Sequence, residues 1–555
     1  MLAQVRGLVD PRPWSILGLR YRPTGSDPSP RPHPAAPRFP DGSEDRAHMN
    51  KTQTFPLSAV DRALLDYQAA HPKMPVNVCT LLVSEESPPT LRELRDFVAR
   101  RLEVFPEILR RRIVRLPGRR PRWGWVVDHA ITADDLVRER GLPAGGGAGT
   151  GLRPVLRELV GTPVPVSALP WRLWLLHEPD TQGFAVLYRA THVHQDGAAK
   201  NLMISALFGA DAAPFHLTGP RRWRPARRPA PRALGAAVLR GGRWLAPAPT
   251  TAALSGPAGG VVHSWASTSP LRLQAVAAAS GATVNDVFLA AVAGVLRSWS
   301  SDDGVPSGDV VATMAVSTRR PAEQGLLGNY VAGARVVLPC SLESPARRLA
   351  VMPAHTARLK RGGQLGAGER LLFDTLPARL RQRVLTRGLD SRSAALSISN
   401  VLAPSGPLTV AGRSLRCAVP IPSLFARQRL AFHLGGTDSV VSVGTAASDS
   451  VRGSTDLAAR WLAELAVLEA ALGLAAGPER TAIPVARSGT HVPFRGGEAT
   501  GAPPSAAALV RTDETGRHDH HDHDHHDHDH HDAGAAVATP PAAAELTGLG
   551  SSTVP

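Results

Sequence analysis

Apolar residues along the chain recur at two spacings, one typical of helices and one typical of strands. Near position 95 they follow a helical period: Leu91, Leu94, Phe97 and Val98. The short run at 183–190, GFAVLYRA, is rich in β-branched and aromatic residues and predicts a strand that leads into a loop. These patterns predict a first folded lobe over residues 55–217.

A second folded lobe is predicted over residues 261–473. Its clearest element is a helix over 283–299, TVNDVFLAAVAGVLRSW, because the apolar residues share one face: Val284, Val287, Phe288, Ala291, Val292 and Val295. Thr283 and Asp286 stand three residues apart at its start, which is the spacing of a capping box. We therefore expect the helix to begin near Val284.

Three segments lack a sustained apolar period. Residues 1–48 are rich in Pro and Arg and are expected to be disordered or to precede the true start, for which Met49 is the candidate. Residues 218–260 carry many Pro, Gly, Arg and Trp residues, which predicts a basic connector between the lobes. Residues 474–555 predict a disordered tail.

The tail contains an alternating tract of His and Asp at 518–532, HDHHDHDHHDHDHHD. Imidazole and carboxylate groups can bind zinc, nickel or copper, but a tract that buries nothing fixes no coordination geometry. A solvated low-complexity tail is therefore the preferred interpretation, with metal binding as the alternative. The rest of the sequence contains no zinc-protease, P-loop or dinucleotide-binding motif, and we predict no metal site there.

The charge and the cysteine content limit the partners and the compartment. The 63 Lys and Arg residues exceed the 47 Asp and Glu residues, and the net charge of +16 favours anionic partners such as membrane surfaces, nucleic acid or acyl-CoA phosphates. The 3 Cys residues show no paired spacing, so a reducing cytoplasm fits better than a disulfide framework. No apolar window of about 18 residues predicts a transmembrane helix, so membrane contact is expected to be peripheral.

The candidate chemistry lies at 189–200, RATHVHQDGAAK, where the predicted strand ends. Strand alternation places His192 on the same face as Tyr188. Asp196 follows across a short loop, and Gly197 is expected to supply the backbone freedom for a turn into the next helix. A histidine that caps a buried strand edge is the alternative to a catalytic one.

The order strand, His-x-x-x-Asp-Gly, helix resembles the CoA-dependent acyltransferase superfamily, whose motif is His-His-x-x-x-Asp-Gly. In this chain the second motif histidine corresponds to His192, whereas Thr191 replaces the first one. His194 falls at a variable position of the motif, so we expect no catalytic role for it.

The two lobes are similar in sequence to the bacterial wax ester synthase and diacylglycerol acyltransferase family over residues 55–473. The first lobe opens with PLSAVDRALLDYQAAHPKMPVNVCTLLV, which has the Pro-Leu-Ser-x-x-Asp start of that family. Further segments keep the order of the family: FPEILRRRIV, RPRWGWVVD, LPWRLWLL, NDVFLAAVAGVLRSW, MAVSTRR, LLGNYVAGARVVLP, SISNVLAPSGPLTVAG and DLAARWLAELAVLEAAL.

This resemblance implies two α/β lobes, each with a mixed sheet and helices, in a chloramphenicol acetyltransferase-like fold with the site in a tunnel between them. It assigns the general base to His192 and a loop-holding role to Asp196, which could alternatively orient the imidazole. Asn285 and Asp286 correspond to the Asn-Asp motif of the family and are candidate substrate contacts, with helix capping as the alternative. No cofactor is implied, since acyl-CoA is a substrate.

The implied function is transfer of a fatty acyl group from acyl-CoA to diacylglycerol or a long-chain alcohol, which yields triacylglycerol or a wax ester. Two alternatives stay open: an acyltransferase of the same superfamily with another acceptor, and a weakened paralogue that only binds lipid. The expected location is the cytoplasm, with peripheral attachment to membranes or lipid droplets through the arginines and tryptophans of 221–244. No nucleic-acid partner is expected.

Overall fold

The computed structural model describes residues 54–475 with these gaps: 117–121, 144–150, 166–168, 179–181, 210–230, 244–253, 257–258, 304–307, 321–322, 361–365, 402–405 and 426. All the described residues belong to one compact unit. The predictions for residues 1–48, for Met49 as the start, and for the His and Asp tract lie outside the described residues.

The first half of the described chain mixes helices and strands in this order: β1 (Thr54–Pro56), α1 (Ala59–Ala70), β2 (Asn77–Ser84), α2 (Leu91–Val104), α3 (Pro106–Leu109), β3 (Arg111–Leu116), β4 (Arg122–Val127), α4 (Ala133–Leu136), β5 (Val137–Gly141), α5 (Leu152–Gly161), β6 (Trp171–His177), β7 (Phe184–Thr191), α6 (Gly197–Phe208) and α7 (Pro231–Arg243). Helix α2 confirms the helical period found near position 95. It begins with a capping box of Thr90 and Glu93, which satisfies backbone N–H groups at its first turn.

The second half continues in this order: β8 (Val261–Thr268), α8 (Pro270–Ser280), α9 (Val284–Asp303), β9 (Val310–Ser317), β10 (Val331–Leu338), α10 (Pro345–Lys360), α11 (Ala367–Thr375), α12 (Ala378–Gly388), β11 (Leu396–Asn400), β12 (Leu408–Val410), β13 (Arg413–Leu415), β14 (Cys417–Ile421), β15 (Leu430–Gly436), β16 (Val441–Ser448) and α13 (Leu457–Ala471). Helix α9 begins at Val284, as predicted. Residues 285–296 are buried around the whole helix, because α10, α13 and a sheet surround it.

Two mixed sheets form the centres of the two lobes. The first has the strand order β14-β2-β7-β6-β5, in which β5 and β6 run parallel. The second has the order β10-β9-β11-β15-β16-β8, in which β11 is parallel to both of its neighbours. Helices α2, α5 and α6 pack on the first sheet, and α9 and α13 pack on the second. This architecture confirms the predicted two-lobed α/β fold.

Strand β7 crosses the first sheet, and its alternate residues enter two different cores. Val186 and Tyr188 pack with α2 and α6, whereas Ala185 and Leu187 pack with α5 on the opposite face. Strand alternation therefore holds through the predicted segment. The strand ends at Thr191, so the motif loop begins at the next residue.

Strand β14 comes from the second half of the chain but belongs to the first sheet. It pairs antiparallel with β2, with Cys417 opposite Val83 and Ile421 opposite Cys79. The second half of the chain therefore completes the sheet of the first lobe. Sequence patterns did not predict this exchange, because pairing between distant positions leaves no local periodicity.

The predicted connector at 218–260 includes a regular helix, α7, which its content of Pro, Gly and Arg did not indicate. The helix begins at Pro231, where the missing N–H of proline removes no intrahelical hydrogen bond. It packs against α11. Val238 and Leu239 on this helix are exposed large apolar residues.

Among the described helices, none is by itself long and apolar enough to cross a membrane. One sharply bent pair, Pro270–Ser280 with Val284–Trp299, meets the length and composition limits together. The second member of this pair is α9, which lies in the core of the second lobe.

Candidate active site

A cavity of about 1790 Å³ opens where β7 ends, between the two sheets. Its wall contains Cys79 from the first sheet and Ser399 and His433 from the second. His192 and Asp196 of the motif loop also line it. The motif loop therefore lies at the junction of the two lobes.

His192 is held at the cavity through its backbone and its ring. Its backbone N–H donates to the carbonyl oxygen of Val76 at 2.8 Å, just before β2 begins. The half-buried ring meets Phe425 at its edge, with ring centroids 6.1 Å apart. Its Nδ1 lies 3.0 Å from Oδ1 of Asn329. The contact on Nδ1 leaves Nε2 as the nitrogen for chemistry.

The amide of Asn329 favours one tautomer of His192. Its Nδ2 donates to the backbone oxygens of His192 at 2.8 Å and of Val193 at 3.1 Å, so the amide nitrogen faces acceptors. Oδ1 must then accept a hydrogen bond from Nδ1–H of the imidazole, an assignment that follows from the hydrogen-bond network. Nε2 therefore carries the lone pair that a general base needs.

Burial lowers the pKa of His192 below its ordinary value, while its own backbone, the charge of Asp196 and the hydrogen bond to Asn329 oppose that shift. The neutral imidazole is therefore the favoured form near pH 7. Burial also lowers the pKa of His433 in the same cavity to about 3, and the charges of Lys200 and His192 add to the effect. Both histidines of the cavity wall are thus neutral near pH 7.

Lys200 brings a positive charge to the cavity wall on the first turn of α6. It is 6% exposed, and burial lowers the pKa of its ammonium group to about 8. No described carboxylate faces it. The cavity near the motif loop therefore has a cation that is not compensated by a described acidic group.

Asp196 is fully engaged in holding the motif loop. It is the N-cap of α6, where Oδ1 accepts the N–H of Ala199 at 2.9 Å. Its Oδ2 accepts from Nη1 of Arg319 at 2.7 Å and from the N–H of Tyr330 at 2.8 Å. Burial alone raises the pKa of Asp196, but Arg319 and the two N–H donors hold it below its ordinary value. None of these contacts is with the imidazole of His192.

Gly197 lies where the motif loop meets the residue that follows β11. A Cβ atom at this position would lie 2.6 Å from Cγ2 of Val401, which is closer than a side chain can approach. Its φ is not positive, so the expected need for unusual backbone freedom is wrong. The close approach of two segments explains the glycine.

Two other residues of the motif lie outside the cavity wall. Thr191 is fully buried, and its hydroxyl donates to Oε1 of Gln68 at 2.9 Å. His194 packs against Trp125 at a centroid distance of 5.2 Å, and neither ring nitrogen has a partner among the described residues. Burial lowers the pKa of His194 to about 3. Neither side chain reaches the cavity.

Among the described residues of the cavity wall, neither a reactive thiolate nor a cluster of metal ligands is found. Cys79 lines the wall, but burial raises the pKa of its thiol to about 12, so the reactive thiolate is strongly disfavoured. No group of three or more His, Cys, Asp and Glu side chains in these ranges is placed to hold a metal ion. A cysteine thiolate therefore does not compete with the imidazole of His192 in this cavity.

Family models match both halves of the chain. The wax ester synthase/diacylglycerol acyltransferase catalytic domain matches residues 57–269, and the WS/DGAT C-terminal domain matches residues 327–468. The chain belongs to the wax ester synthase/diacylglycerol acyltransferase family. This assignment confirms the resemblance predicted from the sequence motifs.

Two mycobacterial proteins align with parts of the chain. A protein of Mycobacterium bovis, named as a candidate diacylglycerol O-acyltransferase, is 32% identical over 176 residues, which is 31% of this chain and 39% of that protein. A protein of Mycobacterium tuberculosis with the same kind of name is 27% identical over 326 residues, which is 51% of this chain and 68% of that protein. The first of these alignments spans less than two thirds of the relative.

Solved structures of the same architecture cover the described chain. The wax ester synthase/diacylglycerol acyltransferase of Marinobacter aquaeolei VT8 matches with a TM-score of 0.54 and 18% identity, over 76% of this chain and 100% of that one. The first condensation domain of the calcium-dependent antibiotic synthetase matches with a TM-score of 0.54 and 18% identity, over 77% and 98%. At this identity the likeness shows the fold alone.

The Asn-Asp pair of the family lies at the start of α9, outside the cavity wall. Asp286 accepts from the N–H and the hydroxyl of Thr283 at 3.0 and 2.7 Å and from the hydroxyl of Thr356 at 2.8 Å. Oδ1 of Asn285 accepts from Nδ2 of Asn400 at 3.3 Å. Capping and packing account for these contacts, and direct contact with a substrate stays a prediction.

Sequence reasoning missed two residues that hold the site, Arg319 and Asn329. Both stand in segments that carry the family resemblance, MAVSTRR and LLGNYVAGARVVLP, but they are far from His192 in the chain. Asp196 was expected to hold the loop, yet nothing in the sequence indicates which arginine pairs with it. Only the folded arrangement of β9 and β10 brings these side chains to the motif loop.

Proposed function

We propose that this protein transfers a fatty acyl group from acyl-CoA to the hydroxyl group of diacylglycerol or of a long-chain alcohol. The products are triacylglycerol or a wax ester, and free CoA. The observation that carries the proposal is His192, whose Nδ1 is engaged by Asn329 while the ring lines a cavity between the lobes. Membership of the family supplies the acyl-CoA donor and the hydroxyl acceptor.

The proposed reaction moves one proton through Nε2 of His192. Nε2 takes the proton of the acceptor hydroxyl as its oxygen forms a bond to the thioester carbonyl carbon. The tetrahedral intermediate then loses the CoA sulfur as the C–S bond breaks, and the imidazolium returns the proton to that sulfur. Lys200 is a candidate for stabilising the transient oxyanion, since it is a buried cation on the same cavity wall.

The cavity wall supports a long apolar substrate. Many of its residues on α7, α11 and α12, and in the turn between the last two, are apolar: Ala237, Val238, Leu372, Phe373, Leu376, Leu380, Val384 and Leu385. An alkyl chain gains free energy by leaving water for such a surface, in proportion to the area that it buries. A volume of about 1790 Å³ exceeds the range of roughly 300–1,000 Å³ that is usual for small-ligand pockets, which favours bulky lipid substrates.

The weakened-paralogue alternative has less support than catalysis. It rests on Thr191, which stands where the superfamily motif has its first histidine. Thr191 is buried against Gln68 and takes no part in the cavity wall, so its presence removes no chemical group from the cavity. A different hydroxyl acceptor is the remaining alternative, and the assay below separates it.

The test is an acyl-transfer assay with purified protein, palmitoyl-CoA and either hexadecanol or dioleoylglycerol. We expect release of CoA together with a wax ester or a triacylglycerol, and loss of both products in His192→Ala. Transfer to neither acceptor by the folded wild-type protein would contradict the proposal. Release of CoA without ester would indicate thioester hydrolysis instead of acyl transfer.

We further propose that the protein works in the cytoplasm as a peripheral membrane or lipid-droplet protein, with α7 at the lipid surface. Leu239 on α7 is 72% exposed, and its neighbour Val238 lines the cavity while also being 52% exposed. The basic segment around α7 would add attraction to anionic headgroups. An acyl chain could then pass between the lipid and the cavity beside this helix.

Sedimentation with anionic vesicles tests the membrane proposal. Leu239→Asp should reduce the bound fraction, because a carboxylate would be placed at an anionic and apolar surface. Leu271→Asp is the matched control, since Leu271 is 69% exposed but lies on a different helix, α8 of the second lobe. Equal binding of both variants, or wild-type binding that high salt leaves unchanged, would overturn the proposal.

A further inference from the structure

A chain of hydrogen bonds leads from the imidazole of His192, through the amide of Asn329, to the carboxyl group of Asp61. We propose that Asp61 and Asn329 form a positioning pair that holds His192 in the tautomer with Nδ1 protonated and Nε2 free. The inference rests on the proposed acyl-transfer function, in which Nε2 is the base. Neither residue touches the reacting atoms, and both act through His192.

Asp61 presents acceptor atoms toward Asn329. It is 1% exposed on the first turn of α1, where it forms a capping box with Ser58. Oδ2 accepts the N–H of Ser58 at 2.9 Å. Oδ1 accepts the backbone N–H of Asn329 at 2.8 Å and its Nδ2 at 2.9 Å. Because all three donors are N–H groups, the carboxyl group requires the nitrogen end of the amide to face it.

The amide of Asn329 consequently has one favourable orientation. Its Nδ2 faces Oδ1 of Asp61 and the backbone oxygens of His192 and Val193. A rotation by 180° would turn the amide oxygen toward these three oxygens, none of which has a proton to donate while the carboxyl group is ionised. A buried polar group without a partner costs about 1–3 kcal/mol, so the rotated state is disfavoured. Oδ1 therefore accepts from Nδ1–H, and Nε2 is left free.

The turn before β10 is built to bring Asn329 to this position. Gly328 has φ +94°, and a Cβ atom there would lie 3.1 Å from Oδ2 of Asp61, so the backbone approaches the carboxyl group closely. Nη2 of Arg319 donates to the carbonyl oxygen of Gly328 at 2.9 Å. The hydroxyl of Ser58 donates to the carbonyl oxygen of Asn329 at 2.9 Å. Contacts from Ser58, at the start of α1, and from the buried Arg319 thus hold the pair in place.

A second capping box in the same lobe provides a control that distinguishes the positioning role of Asp61 from its role in helix capping. Thr132 and Asp135 form it at the start of α4, with the N–H of Thr132 donating to Oδ2 of Asp135 at 2.9 Å. Asp135 makes no described contact with the cavity or with His192. Asp135→Asn is therefore a matched control for Asp61→Asn, because both changes weaken a capping box and only one reaches the imidazole.

The experiment combines nitrogen NMR of histidine-labelled protein with steady-state kinetics. The resonances of His192 are identified by their loss in His192→Asn. In the wild-type protein we expect a protonated Nδ1 and an unprotonated Nε2. Asn329→Ala should increase the share of the tautomer with Nε2 protonated, while the backbone of His192 stays as a second partner of the ring. Its kcat should fall about tenfold or more, up to the 10²–10⁴ contributed by a general base, while KM for palmitoyl-CoA changes little.

Asp61→Asn supplies the second variant if Asn329→Ala does not fold. The substitution keeps the shape of the carboxyl group but removes its charge. We therefore expect kcat to fall, but by less than in Asn329→Ala. An unchanged tautomer and an unchanged kcat in a folded Asn329→Ala protein would overturn the inference. Equal losses of kcat in Asp61→Asn and Asp135→Asn would do the same. If the wild-type protein shows the expected tautomer of His192 but transfers no acyl group, the proposed function is wrong and the positioning inference still holds.

Discussion

His192 and His194 stand two residues apart in the same loop, yet their surroundings are opposite. His192 lines a cavity and has Nδ1 paired with Asn329 at 3.0 Å. His194 is 5% exposed, packs on Trp125, and has no partner for either ring nitrogen among the described residues. Burial lowers the pKa of both imidazoles. A base in this loop therefore needs a partner on one nitrogen and a cavity for the other, and burial by itself supplies neither.

The largest expected effect comes from removing each imidazole in turn. His192→Ala should lower kcat for transfer from palmitoyl-CoA by about 10²–10⁴, the range that general-base catalysis contributes. His194→Ala should leave kcat close to the wild-type value, because its side chain does not reach the cavity. The assay is ester formation under saturating substrates. Loss of turnover in His194→Ala with retention in His192→Ala would reverse the comparison.

The motif loop that carries both histidines is held by the buried ion pair of Asp196 and Arg319. Arg319→Met should lower the free energy of unfolding by about 3–5 kcal/mol, because it leaves the carboxylate of Asp196 buried without its cation. Arg157→Met is the control, since its ion pair with Asp449 is about half exposed and should contribute less than about 1 kcal/mol. Urea denaturation measures both values. Equal small losses would show that the loop is held by other contacts.

Because His194 is buried, lowering the pH should decrease the free energy of unfolding. Its pKa is about 3 in the folded protein and ordinarily 6.5, so the unfolded chain binds a proton first as the pH falls. Above pH 6.5 the ring is neutral in both states and this group does not change the stability. As the pH falls from 6.5 toward 3, protonation of the unfolded chain lowers the free energy of unfolding. By pH 4 this group alone should cost about 3 kcal/mol of the free energy of unfolding.

His194→Phe removes that titration while keeping a ring against Trp125. We expect the variant to match or exceed the wild-type stability at pH 7 and to lose less stability by pH 4, as measured by urea denaturation at both pH values. His129→Phe is the control, because the side chain of His129 is exposed. If His194→Phe and the wild type lose stability in parallel, His194 is not buried in the way described.

Local sequence patterns predicted the elements that depend on neighbouring residues. Helices α2 and α9 follow from apolar spacing and capping residues, and β7 follows from a short β-branched and aromatic run. The exchange of β14 into the first sheet and the contacts of Asn329 with His192 join distant positions, which no local period reports. Gly197 shows the same limit, since the reason for the glycine is the approach of Val401 from the second lobe.

Chemical rescue measures most directly whether the imidazole at position 192 transfers the proton. His192→Gly removes the ring and leaves space at the cavity wall, and added imidazole can then supply a base in solution. The account predicts a low rate of ester formation that rises with imidazole concentration, and no such rise in the wild type or in His194→Gly. A wild-type rate in His192→Gly without imidazole would contradict the assignment of His192 as the base.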